Sequence, residues 1–131
     1  MVKESKSFVQ DTSDFIRKIE SLDKLSKTSI IGTMDVTSLY TNIPNDEGIS
    51  SIRRLLEKER DKEINPKNET LVRILEFVLK NNNFQFNGDN YLQTSGTAMG
   101  TRVAPSYANL FMTALETDFS RKTQGLVQIH R

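Results

Sequence analysis

Cysteine is absent from the 131 residues, which excludes disulfides, thiolate zinc sites and cysteine nucleophiles and suits a reducing compartment. Histidine occurs once, at His130, and without a second histidine to share a metal it reads as a surface or tail residue. No excess of either charge is present: 18 Lys and Arg stand against 17 Asp and Glu, a formal net charge of +1. The chain therefore lacks the basic surplus that marks most self-sufficient nucleic-acid binders. Long apolar runs are missing too. The opening MVKESKSFVQDTSDF holds no apolar core of signal-peptide length, and no stretch approaches the ~20 apolar residues that span a bilayer. Together these absences lead to the expectation of a soluble, intracellular protein with no membrane among its partners.

The length suits one ordinary domain or part of one, and the pattern within it mixes helical and strand periods. Between Lys6 and Leu22 the residues Phe8, Phe15, Ile16, Ile19 and Leu22 recur at helical spacing, which predicts an amphipathic helix. The apolar run Ile30-Ile31-Gly32-Thr33-Met34 reads as a short buried strand continuing to Val36, with Asp35 at its end. Thr37 to Pro44 is expected to turn, delivering the chain to Asn45 as N-cap of a second helix with Ile49, Ile52, Leu55 and Leu56 inward. The stretch KERDKEINPKN, broken by Pro66, is a solvated connection. A third helix is predicted from near Asn68, with Leu71, Val72, Leu75, Val78 and Leu79 inward.

NFQFNGDNYLQ then carries a hairpin signal, with a turn at Asn87-Gly88-Asp89-Asn90 and a return through Tyr91 and Gln93. A loop of small residues, TSGTAMGTRVAP, leads to a helix beginning at Pro105, where a missing backbone donor is tolerated. That helix carries Tyr107, Leu110, Phe111, Ala114, Leu115 and Phe119. In the tail, Leu126, Val127 and Ile129 suit the start of another strand. The chain shows no internal repeat and no low-complexity segment, and the expected fold class is α+β, helices packed on a small sheet with a β-hairpin.

Two segments stand out for chemistry. Asp35 ends its apolar run, and strand ends are where α/β proteins place reacting groups; taken singly, an acid before a turn is most often a cap, and Tyr40 near Pro44 is most often packing. The second segment, Gly96-Thr97-Ala98-Met99-Gly100-Thr101-Arg102-Val103-Ala104-Pro105, is a Gly-punctuated loop opening a helix, where backbone is able to approach a ligand closely. Alone it is only a weak signal, for a phosphate loop or an ordinary turn.

Together the two segments resemble the reverse transcriptase palm, and in particular that of the Penelope-like retroelement family. DVTSLYTNIPNDEGI is similar to that family's motif A, and NNNFQFNGDNYLQTSGTAMGTRVAPSYANLFM to its hairpin and motif B. Reverse transcriptases in general carry a Gly-x-x-Gln-Gly loop with Ser-Pro soon after it. Here Met99-Gly100 and Ala104-Pro105 stand at those positions, replacements that look like Penelope-type usage. The resemblance covers roughly residues 6 to 119.

The resemblance implies a partial polymerase palm and an RNA-directed DNA polymerase. Such an enzyme takes an RNA template, a DNA primer and deoxynucleoside triphosphates, and uses two Mg2+ (or Mn2+) ions about 4 Å apart. On this reading Asp35 is the first metal-binding, catalytic aspartate, and Val36 offers its backbone carbonyl to the same metal. Tyr40 is the sugar-selecting aromatic, whose ring would collide with a 2′-hydroxyl. Met99 and Gly100 lie against the nascent base pair. Thr101, Arg102 and Pro105 fall on the template side, with Arg102 reaching template phosphate or solvent and Pro105 starting the supporting helix. The family's habit of copying into chromosomes implies a nuclear location.

The family's remaining metal-binding acids sit in a downstream hairpin carrying aromatic-x-Asp-Asp, and no such sequence occurs in these residues. Glu116 and Asp118 follow the loop but fall on a predicted helix, where they are more plausibly solvated or paired. The basic fingers, the thumb and the nuclease domain of such elements have no counterpart here either. The expectation is therefore that residues 1–131 form the central slice of a reverse transcriptase domain, inactive as a polymerase by itself. The alternative from another class is a non-catalytic module derived from a palm that binds nucleic acid or protein. A decayed reading frame, leaving a sheet edge and apolar helix faces uncovered, is the third.

Overall fold

A computed structural model describes residues 8–22, 27–61 and 63–123. The predicted start of the first helix at Lys6, the tail residues Leu126, Val127 and Ile129, and His130 lie outside the described residues. The elements run α1 (Thr12–Glu20), α2 (Leu39–Asn42), α3 (Asn45–Glu59), α4 (Asn68–Lys80), β1 (Asn83–Phe86), β2 (Asp89–Leu92) and α5 (Ala104–Lys122). The architecture is α+β: among the described residues, five helices and one two-stranded antiparallel hairpin.

The core is helical. Ile49, Ile52 and Leu56 on α3 and Val72, Leu75 and Leu79 on α4 share one spacing, which puts each set along a single stripe. These stripes meet, and α5 completes the cluster with Tyr107 and Ala108. Each fully buried aliphatic side chain contributes roughly 1.5–3 kcal/mol relative to exposure. Ile43, only 1% exposed, enters the same cluster from the link between α2 and α3. Of the residues expected inward, Val78 is exposed and Leu55 and Leu71 are half-buried; Leu115 and Phe119 of α5 are exposed too. Among the described residues no element covers these positions of α4 and α5.

The α3–α4 connection is closed by side chains. Arg60 Nη1 donates to the Pro66 carbonyl at 2.7 Å and to Asn68 Oδ1 at 2.9 Å, and Asn68 Nδ2 donates to the Leu56 carbonyl at 3.0 Å. Asn68 thus adds a second donor to a carbonyl at the end of α3 that already accepts from the Arg60 N–H at 3.2 Å. Arg53 bridges to Glu69 across the two helices, and this hydrogen bond holds the Glu69 carboxyl below its usual range.

The hairpin forms as predicted, with a tighter turn. Asp89 and Asn90, expected in the turn, belong to β2, and only Asn87 and Gly88 turn the chain. Their φ values of 51° and 89° are the left-handed pair that a two-residue hairpin turn demands. Phe84 pairs with Tyr91, and their rings stack with centroids 5.5 Å apart.

Helices were expected to pack on this sheet, and they do not. Every strand residue is exposed, and neither strand closely approaches a helix. A four-residue hairpin offers too little apolar face to displace helix–helix contacts that already bury the longer stripes. Phe15, Ile16 and Ile19 of the first helix are likewise exposed, and among the described residues α1 packs on no other element. It is held locally, with Asp11 accepting from the Asp14 N–H at 2.9 Å as N-cap.

The buried strand expected at Ile30–Val36 is also corrected. Residues 29–36 are in neither helix nor strand, and Ile30, Ile31 and Met34 are 95%, 83% and 89% exposed. A strand exists only where a neighbour accepts its ladder, and the one sheet among the described residues consists of β1 and β2 alone.

Candidate functional site

The turn carrying Tyr40 is knotted from within. Ser38 takes a left-handed conformation (φ 52°), which folds the next residues back into α2. The N–H groups of Thr41 and Asn42 both donate to the Ser38 carbonyl at 3.1 Å. Thr41 Oγ1 donates to the same carbonyl at 3.0 Å, and Asn42 Nδ2 to the Thr37 carbonyl at 2.9 Å. Leu39 and Tyr40 pack half-buried against the helical core, so the packing role open to Tyr40 is realised. The predicted turn from Thr37 to Pro44 is thus one helical turn followed by the deeply buried Ile43.

The loop after the hairpin closes on this turn. Its start is tied by the Gln93 N–H donating to the Asn82 carbonyl at 2.9 Å and by Asn82 Nδ2 donating to Gln93 Oε1 at 2.7 Å. Next, the Thr97 N–H donates to the Tyr40 carbonyl at 2.7 Å. Gly96, at φ +74°, lies so close that a Cβ there would stand 2.7 Å from the Thr41 Cα and carbonyl oxygen and 2.8 Å from the Tyr40 carbonyl oxygen. Thr97 is only 3% exposed. Asn45, expected as N-cap of α3, is instead its first residue behind Pro44. Its Nδ2 is turned to the Thr94 carbonyl at 3.4 Å, which takes the side chain away from capping.

The second half of the loop is open. Met99 and Arg102 are exposed, and Gly100 (φ +95°) has open space where a Cβ would stand. Thr101 closes a turn, its N–H and Oγ1 donating to the Ala98 carbonyl at 3.4 and 3.2 Å, and its own carbonyl accepts from the Ala104 N–H at 3.2 Å. Pro105 is exposed in the first turn of α5, where its missing donor costs nothing.

The structure thus brings together Tyr40 and the start of the Gly-punctuated loop. It does so through Gly96 and Thr97 rather than Gly100. Asp35 and Val36 are exposed, on backbone in neither helix nor strand. Asp118, on α5, is ion-paired with Arg121 at 3.0 Å and Arg54 at 3.7 Å, the paired role expected of it.

Two clefts flank this region, of about 490 and 570 Å3, one at the start of α3 and one between α3 and α5. Neither is lined by any of the expected site residues.

The fit of a metal pair rests on its donors. Asp35 and the Val36 carbonyl supply one carboxylate and one neutral oxygen. No group of three or more His, Asp or Glu side chains suited to a metal occurs among the described residues. That donor set does not seat two divalent cations, and a two-metal centre would need further acids from outside these residues.

Sequence reasoning missed one buried contact. Tyr107, on α5, points its hydroxyl at Gly48 of α3. A Cβ at Gly48 would fall 1.7 Å from that oxygen. The hydroxyl has no hydrogen-bond partner among the described residues, and burial pushes the phenol up to about 12. Only a helix pairing reveals that a glycine and a tyrosine so distant in sequence are complementary.

Comparisons with family models, with curated proteins and with solved structures find no match to this chain. No helix among the described residues is long and apolar enough to cross a membrane.

Proposed function

We propose that this chain is the central palm segment of a retroelement reverse transcriptase of the Penelope-like kind, and that it serves RNA-directed DNA synthesis within a longer enzyme. Asp35 would supply one metal-binding carboxylate and Val36 its carbonyl. Tyr40 would lie under the sugar of the incoming deoxynucleoside triphosphate, with Met99 and Gly100 against the base pair. Thr101, Arg102 and Pro105 would face the template. The observation that supports this reading is the Tyr40–Thr97 hydrogen bond of 2.7 Å. It joins the two segments whose resemblance assigns them to one active site, although they lie far apart in sequence. The exposure of Met99, Gly100 and Arg102 is what a nucleic-acid-facing loop requires.

With a single carboxylate of the set, the 131-residue chain alone is expected to lack polymerase activity. The test begins with the native transcript, read in frame beyond the codon for Arg131 for an aromatic-x-Asp-Asp sequence. The longer polypeptide is then assayed for primer extension on an RNA template with Mg2+ or Mn2+. Extension that drops about a thousandfold or more in Asp35→Ala is the expected result. Extension that persists unchanged in Asp35→Ala refutes the assignment.

A further inference from the structure

We propose that Gly96 and Thr97 are positioning residues for Tyr40, clamping its turn to the Gly-punctuated loop so that displacement of the loop is felt at the Tyr40 ring. Three observations on different atoms converge on this joint. The Thr97 N–H holds the Tyr40 carbonyl at 2.7 Å. Gly96 packs against Tyr40 and Thr41 with no room for a side chain, in a conformation (φ +74°) that only glycine adopts without strain. Thr97 is sealed from solvent, which strengthens its hydrogen bond and raises the cost of breaking it.

What lies on either side of the joint differs. Ahead of it, Tyr40 is braced by the internal hydrogen bonds of its turn and by contact with the core. Behind it, Met99, Gly100 and Arg102 are exposed, and a nucleotide or template contacting Met99 or Gly100 would pull on a segment whose inner end is fixed to Tyr40. The joint is backbone to backbone. Side-chain exchange at Tyr40 leaves it intact, whereas a single methyl at Gly96 wedges it apart. That the coupled ring meets a nucleotide sugar rests on the function proposed above; the clamp itself does not.

The chain has three tyrosines, and they sit in three separate places: Tyr40 at the joint, Tyr91 stacked on the hairpin and Tyr107 in the core. Fluorotyrosine labelling and fluorine NMR therefore read the joint, the hairpin and the core separately. Gly96→Ala is expected to move the Tyr40 resonance, leave those of Tyr91 and Tyr107 in place, and speed hydrogen exchange at the Thr97 amide by about tenfold or more. Should Gly96→Ala disturb all three resonances, an amide-to-ester replacement at Thr97 decides, because it removes the donor without adding a side chain. A Tyr40 resonance unmoved by the ester overturns the proposal, as does one unmoved by Gly96→Ala when Thr97 exchange has risen. In the longer polymerase, Gly96→Ala should relax discrimination between deoxynucleoside and ribonucleoside triphosphates in kcat/KM, in the same direction as Tyr40→Ala. If Tyr40→Ala itself leaves discrimination unchanged, the polymerase reading fails, and the clamp stands or falls on the resonances.

Discussion

Replacing Gly48 by alanine tests the packing of α3 on α5 at its tightest point. In an ordinary exposed helix position the substitution stabilises by about 1 kcal/mol, because glycine has more backbone freedom to lose. Here the new methyl meets Tyr107 Oη at 1.7 Å and Cζ at 2.7 Å, with Ile43 Cγ2 at 3.0 Å. The ring is buried in the cluster, so either it or the helix must shift, and overpacking of this kind costs roughly 1–3 kcal/mol or more. The expected net effect of Gly48→Ala is a loss of about 1–2 kcal/mol. Tyr107→Phe should do the reverse. The hydroxyl is buried without a partner among the described residues, and deleting a buried unsatisfied group relieves about 1 kcal/mol of desolvation. In the double variant the closest contact is gone and the Cζ contact remains, so the two changes should couple favourably by about 1–2 kcal/mol. Urea unfolding followed by far-ultraviolet circular dichroism, on the parent, both single variants and the double variant, measures all the terms. Gly48→Ala raising stability by the helix-propensity increment alone would refute the contact. Tyr107→Phe lowering stability would show that the hydroxyl has a partner.

Two other expectations concern the same core and its connections. The Tyr107 phenol is raised from 10.0 to about 12 by burial; a folded-state value above the unfolded one means that stability keeps its full value below pH 10 and falls between about pH 10 and 12, as the unfolded chain ionises and the buried phenol resists. The two-unit shift corresponds to roughly 2–3 kcal/mol, so subtracting the alkaline stability profile of Tyr107→Phe from the parent's should leave a fall of that order, and a flat difference contradicts the assignment. Asn68→Ala removes both the donor to the Leu56 carbonyl and the acceptor for Arg60, and should cost about 1–2 kcal/mol in urea melts; a loss within a few tenths would mean that the hydrogen bonds of Asn68 do not hold the α3–α4 connection.

Local rules carried the sequence reading a long way. The turn at Asn87-Gly88 was legible because a two-residue hairpin needs two left-handed residues, and Asn-Gly supplies them. The helices α3, α4 and α5 were legible because their apolar stripes repeat at helical spacing. The same reasoning failed at Ile30–Met34, since an apolar run says that a segment favours burial but not that another strand stands beside it. Asn45 has the chemistry of a cap, yet its amide is turned to Thr94, a partner supplied by a loop from elsewhere in the chain. In the candidate site, the two segments were found from their residues alone. The glycine at their joint was not, because Gly96 and Gly100 look alike in sequence and only one of them has a neighbour.

By itself the sequence determined the local elements: the hairpin and its turn, and the apolar stripes of three helices. Each follows from backbone preference or from periodicity within a few residues. The tertiary structure alone decided which faces are covered, leaving the hairpin, α1 and residues 30–36 exposed while Ile43 became one of the most buried side chains. It alone decided that Gly96 and Thr97 seat the Tyr40 turn and that Gly48 makes room for Tyr107. These are contacts between segments distant along the chain. Their existence depends on how helices pack and where a loop returns, which no local preference encodes.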